Sequence, residues 1–212
     1  GYANYLKNHA ARLSVAIAYD SRINSRLFAE TAAGVFAANG IRVYIYPRLM
    51  PTPSLSFAVR DLRCDGGVVV TASHNPAKYN GYKVYGADGC QITTEAAAAI
   101  QQEIDRIDPF ADVHTLDFAE GLASGIIAYI GEDTVERYLA AVSTASLLPE
   151  SFSRSASIVY TPLNGTGISC VPRCLRAHGF TNITIPPEQA EPDGNFPTCP
   201  YPNPEIREAL SV

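Results

Sequence analysis

The chain has 212 residues, of which 47% are apolar and 17% are charged, with a formal net charge of -5. This composition is typical of packed globular proteins and excludes a disordered chain, while the acidic balance argues against a nucleic-acid partner, which needs a basic face. No apolar run is long enough to span a membrane and residues 1–12 lack the apolar core of a signal peptide, so we expect a cytoplasmic protein with no membrane partner.

The first seventy residues alternate between predicted strands and helices. Residues 14–20, 41–47 and 67–71 are short β-branched and aromatic runs typical of strands. Residues 21–40 and 52–62 between them have helical periodicity. Right-handed crossovers make such strands parallel and place helices on both faces of the sheet.

The two helices carry boundary signals and apolar stripes. The first is predicted to end at Gly40 and to bury large side chains that recur at helical spacing, namely Ile23, Leu27, Phe28, Val35 and Phe36. In the second, Thr52 is the predicted N-cap and Pro53 the first helical residue. Its predicted buried stripe consists of Leu55, Val59 and Leu62.

A hairpin, a helix and a linker are predicted to follow the third strand. Residues 81–92 have the pattern of a hairpin that turns at Ala87, Asp88 and Gly89. Residues 93–107 resemble a capped helix with a stripe of Ile100, Ile104 and Ile107. Residues 108–125 are low in periodicity, and we interpret them as a linker.

A second, smaller α/β unit is predicted from about residue 125. The predicted strands are 125–131, 157–163 and 181–186, and the predicted helices are 132–148 and 167–179. A proline-rich stretch then leads to the start of a helix at 204–210. Because termini usually follow completed elements, we expect the chain to be cut short within this last helix.

The five cysteines favour no metal site and no disulfide framework. Cys170 and Cys174 are four residues apart and can share a helix face, but no second Cys or His pair accompanies them. We therefore expect all of them to be reduced and mostly buried: Cys64, Cys90, Cys170, Cys174 and Cys199.

Ser73 and His74 lie just past the third strand, where open α/β sheets place their ligand sites. A serine hydrolase needs glycines two residues on either side of its nucleophile, and here Thr71 and Asn75 take those places, so that interpretation is weak. The other simple interpretation is a polar turn held by Ser73, Asn75 and Pro76.

The longer sequence around this turn is more specific. Residues 71–76, TASHNP, followed by 79–85, YNGYKVY, closely resemble the phosphoserine loop of the α-D-phosphohexomutases, the family of phosphoglucomutases and phosphomannomutases. Residues 50–76 are most similar to the branch that contains phosphoglucomutase and phosphopentomutase. The resemblance extends through most of the chain, to YDSR at 19–22, TPLNGTG at 161–167 and PDGNFPTCPYPNPE at 192–205.

The resemblance and the order of elements together imply an α/β fold of two three-layer α/β/α domains with mixed, mainly parallel sheets. Residues 1–122 correspond to the family's domain I, which carries the phosphoserine loop. Residues 123–212 correspond to its domain II, truncated at the carboxyl end.

The resemblance also implies an intramolecular phosphotransferase, an isomerase that moves a phosphoryl group between the C1 and C6, or C1 and C5, hydroxyls of a sugar phosphate. Ser73 matches the phosphoryl carrier and, through its phosphate, a ligand of Mg²⁺. Lys83 matches the general acid/base, and His74 assists at the phosphoryl group. Arg22 matches a position near the phosphoserine, where its cationic fork suits phosphate oxygens. A glucose 1,6-bisphosphate-type activator is implied as well.

Several family hallmarks are not in this sequence. They are the Asp-x-Asp-x-Asp loop that holds Mg²⁺, the Gly-Glu sugar-recognition loop, the phosphate-clamping loop and the amino-terminal Thr-Ser-Gly-x-Arg segment. Family members have four domains around one cleft, so the expected partners are a sugar phosphate and the missing carboxyl-terminal domains. The chain alone is expected to be inactive. The alternatives are a non-catalytic binding or scaffolding piece of the same fold and, weakly, the serine hydrolase.

Overall fold

A five-stranded mixed sheet forms the centre of the protein in a computed structural model that describes residues 1–149, 151–199 and 201–211. Its strands are β1 (Ser14–Tyr19), β2 (Arg42–Ile45), β3 (Gly66–Val70), β4 (Tyr82–Gly86) and β5 (Ile127–Tyr129). Their order across the sheet is β4-β3-β1-β2-β5. β4 is antiparallel to β3, and the other pairings are parallel, which confirms the predicted mixed, mainly parallel α/β architecture.

Helices cover both faces of this sheet. They are α1 (Tyr2–His9), α2 (Ser25–Ala38), α3 (Thr52–Asp61), α4 (Thr94–Asp105) and α5 (Phe118–Ser124). The central strand β1 is wholly buried, and its side chains alternate between the two layers. Val15 and Ile17 belong to the core beneath α2, whereas Ala16 and Ala18 belong to the core beneath α3.

The buried face of α2 differs from the predicted one. Ile23, Leu27 and Phe28 are 53%, 57% and 45% exposed. The buried side chains of the helix are mostly small, with Ala29, Ala33 and Ala37 beside Phe36. Small residues let the helix lie close to the sheet. Of the predicted stripe, Phe36 is buried as expected, Val35 is partly buried, and the three residues nearer the start of the helix are turned away from the core.

The segment that leads into the second half also differs from expectation. The predicted linker 108–125 contains α5, and Leu116 before it packs against the core. β5, predicted to open the second unit, pairs in parallel with β2 and completes the first sheet. The division at residues 122 and 123 stays a prediction, and this pairing favours a boundary beyond β5.

The second half has less regular structure than predicted. It contains α6 (Glu132–Ser143), β6 (Ile158–Val159), α7 (Val171–Ala177), β7 (Ile183–Thr184) and α8 (Pro187–Ala190). β6 and β7 pair in parallel as a two-stranded sheet. The segments predicted as a helix at 167–179 and a helix start at 204–210 include 3₁₀ turns, at Thr166–Ser169 and Arg207–Leu210.

Smaller boundary shifts follow from local geometry. Pro51 is the N-cap of α3, one residue before the predicted Thr52, and Ile104 of the α4 stripe is 47% exposed. All five cysteines are free, although Cys90 is exposed. Within the described ranges, no helix has the length and apolar character needed to cross a membrane.

Gln189 ties the second half together from a fully buried position. Its Oε1 accepts a hydrogen bond from the Thr161 hydroxyl, and its Nε2 donates to Thr198 Oγ1 and to the Ala209 carbonyl. We expect Gln189→Leu to lower the free energy of unfolding by about 2 kcal/mol or more, because buried polar partners lose their bonds. Urea unfolding measures this, with Gln102→Leu on the exposed face of α4 as the control. Equal midpoints for the two variants would contradict it.

Candidate active site

Ser73 lies in the loop that follows β3, at the carboxyl end of the parallel strands. Its side chain is exposed, and its φ of 57° is in the left-handed region, which costs a non-glycine residue about 1 kcal/mol. Two hydrogen bonds between residues close in sequence hold this conformation. The Ser73 N–H donates to the Thr71 hydroxyl at 3.0 Å, and the Asn75 N–H donates to the Ala72 carbonyl at 3.1 Å. These bonds therefore fix the backbone that carries the exposed serine side chain.

Arg22 lies beneath this loop with its side chain 1% exposed. Its two terminal nitrogens donate four hydrogen bonds of 2.5 to 3.0 Å to the loop backbone. The acceptors are the carbonyl oxygens of Ser73, Asn75, Pro76 and Tyr79. The remaining nitrogen, Nε, lies 3.4 Å from Asp20 Oδ2.

These contacts place Arg22 beside the Ser73 loop, with partners other than the predicted phosphate oxygens. The four terminal N–H groups of the guanidinium all donate to loop carbonyls, so none of these four is left for a phosphoryl group. Nε is buried near Asp20 without a hydrogen-bond partner among the described residues. Burial lowers the pKa of Arg22 and the Asp20 carboxylate opposes that shift. An arginine stays charged in either case.

Asn80 and Gly81 close the loop where it returns to β4. The Asn80 amide donates to the Ser25 hydroxyl at 2.9 Å and to the Ile23 carbonyl at 3.1 Å, and its oxygen accepts from the Gly81 N–H. A Cβ at Gly81 would lie 2.6 Å from the Thr71 carbonyl oxygen. The Asn-Gly pair is thus required by the close approach of the two ends of the loop.

Lys83 lies on β4 directly opposite Val69 of β3. Paired residues project from the same face of a sheet, so Lys83 lies on the face of Val69 and Thr71. It is partly buried and has no hydrogen bond or ion pair with the described residues. His74 is exposed and likewise has no partner in the described ranges.

A cleft of about 230 Å³ opens beside Ser73 and Thr71. Its other wall is a loop of the second half that includes Leu163, Gly165 and Thr166. This wall belongs to the TPLNGTG segment at 161–167, which carries part of the family resemblance but had no predicted role. Phe196, from the proline-rich segment near the end of the chain, also lines the cleft, and no sequence signal predicted this.

The second loop repeats the geometry of the serine loop. The Leu163 N–H donates to the Thr161 hydroxyl at 3.0 Å, as the Ser73 N–H donates to Thr71. Leu163 has a φ of 50° and Ser73 a φ of 57°. Each wall of the cleft therefore includes a left-handed residue whose N–H donates to a threonine two residues earlier in the chain.

Two other features bear on metal and ligand binding. A larger groove of about 450 Å³ lies at the amino end of the sheet, beside Asp65 and Asp88, and does not include Ser73. In the described ranges, no three His, Cys, Asp or Glu side chains are grouped closely enough to hold a metal ion. The described residues therefore do not by themselves fit a Mg²⁺ site.

Comparison with family models matches most of the sequence. Residues 1–110 match the model described as phosphoglucomutase/phosphomannomutase, alpha/beta/alpha domain I, and residues 136–212 match that of domain II. The first match includes Arg22, the Ser73 loop and Lys83, and the second includes the opposite wall of the cleft.

Individual relatives agree with this match. A phosphoglucomutase of Staphylococcus saprophyticus is 36% identical over 212 residues, which cover 100% of this chain and 38% of the relative. A Haemophilus influenzae protein described as a phosphomannomutase is 35% identical over 100% of this chain and 42% of its own length. A crystal structure described as a phosphomannomutase of Thermus thermophilus has a TM-score of 0.83 at 28% identity, covering 100% of this chain and 44% of that one. The chain spans about two fifths of the length of these relatives.

Proposed function

The chain belongs to the phosphoglucomutase/phosphomannomutase family, and from that premise we propose that it forms the amino-terminal part of a phosphosugar mutase in which Ser73 carries the phosphoryl group. The observation that supports this most is the exposed Ser73 at the cleft, on a loop whose backbone is hydrogen-bonded to the side chains of Arg22 and Thr71. An exposed hydroxyl on such a loop is open to in-line approach of a sugar phosphate.

The proposed reaction has two like steps. Phosphorylated Ser73 gives its phosphoryl group to a free sugar hydroxyl, so that a bond from phosphorus to the sugar oxygen forms as the bond to the serine oxygen breaks. The bisphosphate then reorients in the site and returns its other phosphoryl group to Ser73. One isomerisation is thereby split into two transfers, the general use of a covalent intermediate.

Lys83 is the proposed acid/base group at the sugar hydroxyl. It is unpaired within the described residues and lies on the face of β4 that continues toward Thr71 and the cleft. A neutral amine removes the proton of the attacking hydroxyl, and the ammonium returns a proton in the reverse step. His74, exposed beside Ser73, is proposed to donate a hydrogen bond to the phosphoryl group.

The requirement for Mg²⁺ and for a bisphosphate activator stays a prediction from the family, and the cytoplasmic location stays a prediction from the sequence. A phosphate on Ser73 would add oxygen ligands of the kind that Mg²⁺ prefers, but the described residues add no further group of ligands around it. The choice between C6 and C5 sugar phosphates also stays open, since the relatives include enzymes described by either class of substrate.

Lys83→Met is expected to lower the rate of phosphoryl transfer on the order of 10²-fold, because an acid/base group is lost while most of the side-chain volume is kept. Single-turnover rates and KM are to be measured in a protein that carries this chain together with the remaining length of its relatives. Lys7→Met is the control, since Lys7 is exposed on α1 and bonds to Asn39. An effect confined to KM would instead make Lys83 a binding residue.

Phosphopeptide analysis tests the function itself. The same longer protein is incubated with radiolabelled glucose 1,6-bisphosphate, digested and mapped, and the label is expected on the peptide that contains Ser73. Labelling of Ser73 by a fluorophosphonate probe in place of the bisphosphate would support the serine hydrolase. Absence of both labels would contradict the proposal and favour a non-catalytic module.

A further inference from the structure

We propose that Arg22 is a positioning residue for Ser73: its buried guanidinium sets the conformation of the serine loop from inside, and Phe196 from the second half of the chain closes over it. The catalytic part of this inference rests on the proposed function. The conformational part rests on the contacts alone.

The first step of the argument concerns the loop backbone. Between Ser73 and Tyr79 the chain directs four of its carbonyl oxygens at one side chain, which is 1% exposed. Buried carbonyls need donors, and a planar guanidinium offers its N–H groups at fixed angles. The loop is therefore shaped around this fork, and the Ser73 carbonyl is one of the four anchor points.

The second step concerns what fixes the guanidinium. Asp20, at the end of β1, accepts the Arg22 N–H at 2.9 Å and the Ser25 hydroxyl at 2.6 Å through Oδ1. Its Oδ2 faces Arg22 Nε. The carboxylate just past the central strand thus holds the Arg22 backbone by a hydrogen bond and its side chain by an ion pair.

The third step concerns the cover supplied by the second half. The Arg22 guanidinium carbon lies 5.4 Å from the centre of the Phe196 ring, and Ala77 of the loop packs in the same small apolar cluster as Phe196. Two residues earlier, a Cβ at Gly194 would lie 2.6 Å from the Ile23 nitrogen. This segment therefore packs closely against the backbone around Arg22 and shields the Arg22 guanidinium from water.

The experiment compares amide hydrogen exchange in the 212-residue chain and in its variants by NMR. The reporters are the N–H groups of Asn75 and Tyr79, which close turns inside the loop. Arg22→Ala and Arg22→Lys are each expected to speed their exchange at least about tenfold, because the loop opens more often. Lysine does not rescue the loop, since one ammonium cannot bond four carbonyls. Phe196→Leu is expected to give a smaller increase.

Arg26→Ala is the matched control. Arg26 lies four residues further along the chain, is 65% exposed and pairs with Glu30. Its replacement is expected to leave Asn75 and Tyr79 unchanged. Unchanged loop exchange in Arg22→Lys, with the core amides of β1 and β3 still protected, would overturn the proposal. If Arg22→Ala does not fold, Arg22→Lys and Phe196→Leu decide the result.

Chemical rescue separates positioning from general stability. In the longer protein, Arg22→Ala is expected to lose mainly kcat for phosphoryl transfer, and added guanidinium ion, but not ammonium, is expected to restore part of it. Loss that neither ion restores would contradict a positioning role in catalysis. If the unaltered protein takes up no phosphoryl group, the failure belongs to the proposed function, and faster loop exchange still supports the conformational part.

Discussion

Replacement of Ser73 by alanine is expected to abolish phosphosugar isomerisation, with turnover reduced at least about 10⁴-fold, the scale seen when a covalent nucleophile is removed. The hydroxyl is the proposed point of attachment for the phosphoryl group, and neither His74 nor Lys83 offers another oxygen. The measurement is steady-state turnover of glucose 1-phosphate by the protein that carries this chain with the remaining length of its relatives.

The structure supplies the controls for this result. Only the backbone of Ser73 bonds to Thr71 and Arg22, so alanine keeps both contacts and thermal unfolding is expected to change little. Ser73→Gly is the second variant, because glycine adopts a φ of 57° without strain. Ser146→Ala, at an exposed serine after α6, is expected to be fully active. Near-normal turnover by both Ser73 variants would show that another group carries the phosphate.

The position of Ser73 was predictable because it depends on local signals. An apolar run of β-branched residues forms β3, and the polar residues that follow it mark the end of the strand. In a parallel sheet that end is also the ligand end. The sequence therefore predicted correctly that the loop follows the strand at this edge, without any knowledge of what packs beneath it.

The buried face of α2 and the partner of β5 were not predictable in the same way. Helical periodicity in the sequence predicts that the largest apolar residues face the core. In the structure, the face with the small residues Ala29 and Ala33 packs on the sheet, and Leu27 is exposed. The strand signal at 125–131 is local, but its pairing with β2 is set by the path of the whole chain. The carbonyl partners of Arg22 were not predictable for the same reason, since they lie more than fifty residues away in sequence.

The last prediction concerns the 212 residues by themselves: we expect them to fold but not to isomerise a phosphosugar. The central sheet is covered by helices on both faces and has a buried apolar core on each face, so circular dichroism and cooperative unfolding are expected to show a folded protein. The two parts of the chain also contact each other beside the cleft, where the Phe196 ring lies against the Arg22 guanidinium.

Chemistry requires more than the fold, because phosphoryl transfer depends on positioning and on neutralisation of charge by metal ions and cations. Among the described residues, the terminal N–H groups of Arg22 are bonded to backbone carbonyls, and no group of three ligands for a metal is present. Lys83, on the face of Thr71, is unpaired within that part of the chain and is a cation that the site offers. The chain also covers only 38% of a relative such as the Staphylococcus saprophyticus enzyme. The assay supplies glucose 1-phosphate, Mg²⁺ and catalytic glucose 1,6-bisphosphate, with the longer protein as the positive control. Appreciable turnover by the 212 residues would mean that the groups needed for charge neutralisation lie within them.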